Sequence, residues 1–223
     1  MKENERETSN RIMVRERIMR QALDSFAVHG IKSVRMDDIA NALKISKRTL
    51  YELFVDKETL LTECLLYHKK KSDAVLKEIV AKSTNVLEVI LICYQESIEM
   101  YHKMNKAFFE DIKKYPRAHM QLRAEKEKDQ EQSINFFKQG VAQGIFRDDI
   151  NFSIMQLMLR EQMKMLMETD VWKQHHILEV YETMVFVYLR GISTQKGAME
   201  LEEFIKGYRE KKNEERNNEN QDN

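Results

Sequence analysis

Residues 37–58 read DDIANALKISKRTLYELFVDKE, and this stretch predicts two short helices joined by a tight turn. Ile39, Ala40 and Leu43 recur at helical spacing, which gives the first helix one narrow apolar face. Ser46 follows the turn and is a good N-cap for the second helix, because its hydroxyl can accept from the first free amides. Helices of this length do not persist alone in water. Both must therefore pack on other parts of the chain.

The second helix is expected to bury one side and to expose a polar first turn. Its buried stripe would be Leu50, Leu53 and Phe54, and its outward residues would be Lys47, Arg48, Thr49 and Tyr51. Arginine can chelate the two acceptors of guanine, lysine and threonine reach base edges or phosphates, and a tyrosine hydroxyl can bind a phosphate oxygen. The pattern thus favours a helix that reads the DNA major groove, although any small helical hairpin can carry a solvated Lys-Arg pair.

The ends of these helices carry further signals. Asp56 is the expected N-cap of a third helix, and Lys57 stands at its positive end, where a phosphate would be stabilised. Two hydrophobic staples are expected to fix the entry angles of the helices, one between Ile45 and Leu50 and one between Val55 and Leu60. Upstream, residues 14–29 form an amphipathic helix that Gly30 would end.

Residues 22–61 together resemble the DNA-binding domain of the TetR family of bacterial transcriptional regulators. The resemblance is carried, at matching spacing, by Phe26, Gly30, Ile39, Ala40, Ile45, Ser46, Thr49, Leu50, Tyr51, Phe54, Lys57, Glu58, Leu60 and Leu61. It implies a three-helix DNA-binding domain, a C-terminal helical domain for ligand binding and dimerisation, and a homodimer on a palindromic double-stranded operator. It also favours a repressor that responds to a small apolar or amphipathic ligand.

The residues expected to contact DNA are Arg35, Lys44, Ser46, Lys47, Arg48, Thr49, Tyr51 and Lys57. Two positions depart from the family pattern. Lys44 replaces the usual turn glycine, so it is expected in a left-handed or near-helical conformation at a cost of about 1 kcal/mol. Val34 and Arg35 stand where a Ser or Thr cap is usual, so Ser33 or Asp37 is expected to cap instead, and Arg35 to bind a phosphate.

Composition places the whole chain in the all-α class. Among 223 residues there is one proline and there are six glycines, and no alternating β-branched run or Asn-Gly hairpin signal occurs. Formal net charge is zero, but residues 1–71 hold 15 Lys and Arg against 11 Asp and Glu. A basic surface local to the first domain is enough to attract DNA.

The chain divides, by these patterns, into a DNA-binding domain at 1–56, a regulatory domain at 57–208 and a disordered tail at 209–223. Residues 1–10 are expected to be mobile. Beyond the helix that starts after Asp56, helices are expected over 86–115, 118–143, 150–168 and 177–192. The last two are apolar on nearly all sides, which predicts that a second copy covers them. The expected dimer residues are Leu159, Leu166, Tyr181, Val185 and Tyr188.

Ten of the 14 methionines lie at or after Met100. Thioether side chains adapt to varied shapes, so a ligand pocket is expected among Tyr94, Met100, Met104, Phe108, Met155, Met158 and Met163. The alternative is that these methionines only fill gaps in the core and the dimer interface.

The sequence contains no constellation typical of an enzyme, a metal site or a nucleotide cofactor. We therefore expect no catalytic activity, no metal and no cofactor. Cys64 and Cys93 lie in apolar helical runs and are expected to be reduced, as in a bacterial cytoplasmic protein without membrane contact. Two rival functions remain open at this stage. One is a DNA-binding regulator controlled by a protein partner, and the other is an all-α scaffold or enzyme that shares the hairpin.

Overall fold

The computed structural model describes residues 2–118, 120, 121, 124, 130–168 and 174–219, and shows an all-α protein of two packed units. The side chains of residues 2–8, 130, 163, 164, 166–168, 177 and 211–219 lie outside this description. The helices are α1 (Lys2–His29), α2 (Met36–Leu43), α3 (Lys47–Leu53), α4 (Lys57–Lys82), α5 (Val86–His102), α6 (Lys106–Ile112), α7 (Gln130–Ala142), α8 (Phe152–Glu168), α9 (Ile177–Ile192) and α10 (Gln195–Glu219).

The first unit packs α1 to α4 around one apolar core. Ile39, Ala40, Leu50 and Phe54 from the helix pair are each at most 1% exposed. The core also contains residues from two later elements, the first turns of α4 and the short helix α6. These residues are Leu60, Leu61, Cys64, Phe108, Phe109 and Ile112. Phe54→Ala would therefore open a cavity beneath α3.

The second unit packs α5 against α7, α9 and α10, and α8 against α7, around one core. Its core is rich in aromatic side chains around Tyr94 of α5, which is 1% exposed. The Tyr94 ring contacts four others, from Tyr181, Phe186, Phe204 and Tyr208. Among the described residues, no helix is long and apolar enough to span a bilayer.

Tyr101 connects the two cores, since it packs against both. Its ring centroid lies 5.0 Å from that of Tyr181 in the second core and 6.2 Å from that of Phe109 in α6. The predicted domain boundary between residues 56 and 57 remains a prediction. The start of α4 and the helix α6 both contribute to the core beneath α2 and α3.

Several predicted helix ends are found in the structure. Asp56 caps α4 by accepting from the Thr59 amide at 2.6 Å. Gly30 ends α1 with φ of 80°, and Gly144 follows α7 with φ of 70°. A Cβ at Gly30 would also lie 2.7 Å from the Ala107 Cβ, so both backbone freedom and close packing favour glycine there.

The expected helix over 86–115 is wrong in one respect, because the chain breaks at residues 103–105. Asn105 caps a separate helix, α6, by accepting from the Ala107 amide at 2.8 Å. The apolar pattern continues across the break, so periodicity alone gives no sign of it. Asn side chains compete with the helical backbone and favour caps, which is the physical reason for the interruption.

The described parts of both chain ends are helical, and the mobility of residues 1–10 and the disorder of residues 209–223 remain predictions. The backbone is helical from Lys2 in α1 and as far as Glu219 in α10, where mobile or disordered segments were predicted. Neither segment contains Gly or Pro, and Glu, Lys and Arg are good helix formers, so both segments extend the helices that precede or follow them.

Candidate nucleic-acid interface

The first turn of α3 forms an exposed polar surface on a buried support. Leu50 and Phe54 are 0% exposed, whereas the Arg48 side chain is 88% exposed. Ser46 accepts from the Thr49 amide at 3.0 Å and shares a hydrogen bond with the Thr49 hydroxyl at 2.8 Å. The predicted cap is therefore present, and it fixes the direction in which the turn points.

Two carboxylates hold the basic side chains of this surface. The Lys47 ammonium lies 2.5 Å from Asp37 of α2, and the Arg48 Nε donates to Glu52 one turn away at 2.8 Å. Hydrogen bonding to Asp37 raises the pKa of Lys47, and hydrogen bonding to Glu52 raises that of Arg48. Both groups stay cationic at neutral pH and are exposed enough to exchange these partners for DNA.

Lys44 adopts the left-handed conformation that the sequence led us to expect. Its φ is 54° and its ψ is 40°, and its amide donates to Asn41 while the next amide, of Ile45, returns to Ala40. The turn thus closes α2 in the manner of a glycine cap, but with a side chain that bears strain. The Lys44 ammonium is exposed beside α3.

Lys44→Gly is expected to raise the free energy of unfolding by about 1 kcal/mol, because glycine occupies this conformation without a Cβ clash. Lys44→Asn should change it little, since asparagine tolerates the left-handed region, and Lys44→Val should lower it. Urea unfolding of the three variants measures the order. A loss of stability in Lys44→Gly would contradict the strain at this turn.

The start of α2 is capped differently from the expectation. Arg35 is the N-cap residue, and its backbone amide donates to the Asp38 carboxylate at 2.7 Å. Ser33 instead donates to the His29 and Gly30 carbonyls at the end of α1, and Asp37 binds Lys47. Ser33 and Asp37 are thus not the cap. The reason is that Asp38, in the first turn of α2, already accepts from the Arg35 backbone amide.

Lys57 is half-buried. Its ammonium lies 3.3 Å from the Lys32 carbonyl oxygen and 5.8 Å from the centroid of the Phe26 ring. Burial lowers the pKa of Lys57. The predicted staple between Val55 and Leu60 is wrong, because Val55 is 80% exposed. Ile45, by contrast, packs against the first core that contains Leu50.

The start of α4 carries a cluster of charges that includes Arg117, which follows α6 in the chain. Arg117 donates to Asp56 at 2.9 Å and to Glu58 at 3.0 Å. The Thr59 amide and then Arg117 lower the pKa of Asp56 from 3.8 to about 2. A carboxyl whose pKa is lower in the folded state than in the unfolded state stabilises the fold at pH values above the unfolded-state pKa. This stabilisation is lost as the pH falls through the folded-state pKa.

Asp56→Asn is expected to remove a pH-dependent part of the stability and to keep the cap. At pH 5 the free energy of unfolding of the wild type should exceed that of the variant by about 1 kcal/mol. This value is reduced because the Asp56 side chain is half-exposed and partly screened by solvent. The difference should shrink between pH 4 and pH 2, the window set by the two pKa values. Urea unfolding across this range measures it, and a difference that persists at pH 2 would contradict the titration of Asp56.

The predicted pocket residues do not form one site. Met104 and Phe108 pack with the first core, Tyr94 and Met155 belong to the second, and Met158 is 52% exposed. Met100 is half-buried, and the Met163 side chain lies outside the described residues. Helical periodicity predicts which face of its own helix each residue lies on, but it does not predict which other helix that face packs against.

The predicted dimer residues also divide. Leu159, Tyr181, Val185 and Tyr188 are half-buried against the second core, and Leu166 falls among the side chains outside the description. The apolar side chains that reach solvent lie beside them on the same two helices. They are Ile154, Leu157, Met158 and Met165 on α8 and Val187 on α9, each at least 46% exposed. We call these five residues the apolar face.

Sequence reasoning missed two residues that contact the DNA-binding unit. Arg117 binds the start of α4, and Asp111, which is 6% exposed, accepts from the Lys32 amide at 2.6 Å. Both lie more than 50 positions from their partners, and neither has a local motif that signals such a contact.

Comparison with known proteins agrees with this architecture. Residues 18–64 match the family model described as bacterial regulatory proteins, tetR family. No curated protein matches the chain significantly.

Several solved structures share the fold. A protein of Saccharomonospora viridis in complex with choline has a TM-score of 0.64 and 16% identity, over 82% of this chain and 99% of that one. A TetR-family regulator of Agrobacterium tumefaciens has a TM-score of 0.62 and 14% identity, over 82% and 100%. The ketosteroid transcriptional regulator KstR2 of Mycobacterium tuberculosis has a TM-score of 0.52 and 21% identity, over 81% and 95%.

Proposed function

Because the chain belongs to the TetR family of bacterial regulatory proteins, we propose that it is a repressor that binds a palindromic operator as a homodimer and responds to a small ligand. The observation that carries this proposal is the exposed first turn of α3, with Lys47, Arg48 and Thr49 presented on the buried support of Leu50 and Phe54. Such a turn has the donors that major-groove recognition requires.

The contacts divide into two kinds. Arg48 and Thr49 would face base edges, with Lys47 beside them, because the N-terminal residues of a recognition helix enter the groove first. Arg35, Lys44 and Tyr51 are exposed around that turn and would bind phosphates, which position the helix without reading sequence. Ser46 would act mainly as the cap.

While its ammonium binds the Lys32 carbonyl, Lys57 would contribute to DNA binding only through its charge. It would contact a phosphate directly only after leaving that carbonyl. Its contact with that carbonyl is long, at 3.3 Å, so a phosphate at the start of α4 would compete well for it. Lys57 would therefore contribute less to DNA binding than the α3 residues.

Dimerisation through the C-terminal unit is supported by the apolar face. Exposed aliphatic and methionine side chains at five positions on α8 and α9 are an unfavourable surface for a protein in water. A second copy related by two-fold symmetry would bury the same face of each protomer. It would also place two α3 helices on one side of the assembly, as a palindrome requires.

Ligand control is supported by the aromatic core around Tyr94. The Tyr94 hydroxyl is buried, and stacking and edge contacts surround its ring. Aromatic walls of this kind suit an apolar or amphipathic molecule. The neighbour of the same fold from Saccharomonospora viridis is in complex with choline. The ligand would act by binding better to one orientation of the DNA-binding units than to the other.

Selection from a random-sequence double-stranded DNA library tests the proposed function. The purified protein should enrich a symmetric sequence, with half-sites about one helical turn or more apart, and should sediment as a dimer. Enrichment of a single asymmetric site by a monomer would refute the dimer, and the lack of any enriched sequence would refute sequence-specific binding. The bacterial cytoplasm, where such an operator would lie, is the proposed location.

A further inference from the structure

The polar residues that open α3 differ in how many of their donors are already bound within the protein. The Lys47 ammonium donates to Asp37 of α2 at 2.5 Å, and the Thr49 hydroxyl shares a hydrogen bond with the N-cap serine at 2.8 Å. Arg48 donates through Nε to Glu52 at 2.8 Å. Within the described part of the chain, the two terminal nitrogens of Arg48 have no acceptor. One edge of this guanidinium is therefore exposed and unbound.

The edge that remains unbound decides which base Arg48 can recognise. A guanidinium can donate two parallel hydrogen bonds from either of two edges. One edge has both terminal nitrogens, and the other has Nε and one terminal nitrogen. Because Glu52 accepts from Nε, the edge with both terminal nitrogens is left. Two parallel donors match O6 and N7 of guanine, and no other base presents a pair of acceptors in the major groove.

Glu52 and Arg48 lie on the same helix, so their contact moves into the groove as one unit. Residues four positions apart are neighbours on a helix face, and α3 is fixed to the core by Leu50, which is 0% exposed. The Arg48 and Glu52 side chains are 88% and 58% exposed. Exposed pairs of this kind contribute little to folding. The effect of the contact should therefore fall on recognition.

An arginine without this partner would have more ways to bind DNA. Its side chain is long and flexible, and the phosphates on both sides of the groove accept hydrogen bonds from either guanidinium edge. Phosphate contacts carry no sequence information. The carboxylate of Glu52 limits the orientations of Arg48 and also repels phosphates. The ion pair therefore favours contact with guanine over contact with phosphate.

We propose that Glu52 is a positioning residue that makes Arg48 selective for guanine at one base pair of each half-site. The proposal rests on the operator-binding function and deepens it by naming the base. Glu52 acts through Arg48 and needs no contact with DNA. Its loss should leave the affinity for the operator equal or higher. The affinity for operators that lack this guanine should rise still more.

Asp37 provides the matched control, because it is a carboxylate of the same surface that binds Lys47 and not Arg48. If the two carboxylates acted only by repelling phosphates, loss of either would raise the affinity for all sequences alike. A positioning role predicts instead that Glu52 variants alone lose discrimination at one base pair. The pattern across base pairs separates the two roles.

The test measures dissociation constants for the selected operator and for operators with each base pair substituted in turn, at one salt concentration. The base pair that Arg48 reads is the one whose substitution no longer matters in Arg48→Ala. Discrimination is the ratio of the dissociation constants of the substituted and the selected operator. In the wild type this ratio should be about tenfold or more at that base pair. Thermal unfolding confirms that each variant folds.

Glu52→Ala should reduce this discrimination by roughly fivefold, and Asp37→Asn should keep it within about twofold of the wild type. Glu52→Gln should fall between them, because its amide oxygen can still accept from Nε without the charge. In the Arg48→Ala background, Glu52→Ala should have no further effect, since the two residues act as a pair. Unchanged discrimination in Glu52→Ala would overturn the proposal, and so would an equal loss in Asp37→Asn.

A second measurement needs no DNA. In the free protein, the hydrogen bond to Glu52 should slow the exchange of the Arg48 Nε proton with water, which NMR measures. Exchange should accelerate by roughly fivefold or more in Glu52→Ala and by less than about twofold in Asp37→Asn. An unchanged rate in Glu52→Ala would show that Glu52 does not hold Arg48.

The two measurements separate this inference from the proposed function. A wild-type protein that prefers no DNA sequence would refute the operator function. A selective wild type whose Glu52→Ala variant keeps full guanine discrimination would refute only the role of Glu52.

Discussion

Arg48→Ala is expected to weaken operator binding by about 1–3 kcal/mol and to relax the sequence preference at one base pair of each half-site. The guanidinium is 88% exposed at the first turn of α3, and its described carboxylate partner is Glu52, one helical turn away. An exposed pair of this kind contributes little to folding, so the cost should fall on DNA recognition. Titration of operators with each base substituted in turn measures both the affinity and the preference.

Glu52→Ala is the matched control for this prediction. It removes the other half of the same ion pair and leaves Arg48 free to bind DNA, so operator affinity should stay equal or rise. If Arg48→Ala bound the operator with unchanged affinity and selectivity, Arg48 would not read bases.

Val187→Glu combined with Leu157→Glu is expected to break the dimer. The two residues are 61% and 46% exposed on the apolar face. Two-fold symmetry would bring four new carboxylates into one apolar interface, where like charges and lost hydration both oppose association. We expect the dimer dissociation constant to rise at least about 100-fold, which corresponds to about 2.7 kcal/mol. Sedimentation velocity over a concentration series measures it.

Met199→Glu serves as the control, because Met199 is 68% exposed but lies on α10, outside the apolar face. It should sediment as wild type does. A double variant that remained dimeric at nanomolar concentration would show that α8 and α9 do not form the interface through these residues.

The local parts of the DNA-binding unit could be predicted from sequence, because caps and turns depend on residues a few positions apart. Ser46 and Asp56 cap the starts of helices with their side chains, and Gly30 ends α1 through its backbone freedom, as the sequence predicts. The left-handed conformation of Lys44 was expected from the family resemblance, because Lys44 replaces the usual turn glycine. The predicted staple between Val55 and Leu60 shows the limit of local patterns. Burial of Val55 depends on whether other parts of the chain pack over it, and not on its spacing from Leu60.

Long-range contacts could not be predicted in the same way. The predicted pocket residues lie on apolar helix faces, yet Phe108 packs in the first core and Met155 in the second. Phe108 packs in the first core because the chain breaks between α5 and α6 and redirects α6. Asp111 and Arg117 meet partners far along the chain, and exposed acidic or basic residues are too common for their types alone to indicate such pairs.

Footprinting of DNA from upstream of the protein's own coding sequence, with binding titrated in salt, tests the central claim most directly. We predict a protected palindrome on both strands and an affinity that falls with salt at a logarithmic slope of roughly −5 or steeper, since two recognition surfaces displace several counterions each. Equal binding to that DNA and to a scrambled sequence at every salt concentration would contradict binding to an operator in this DNA.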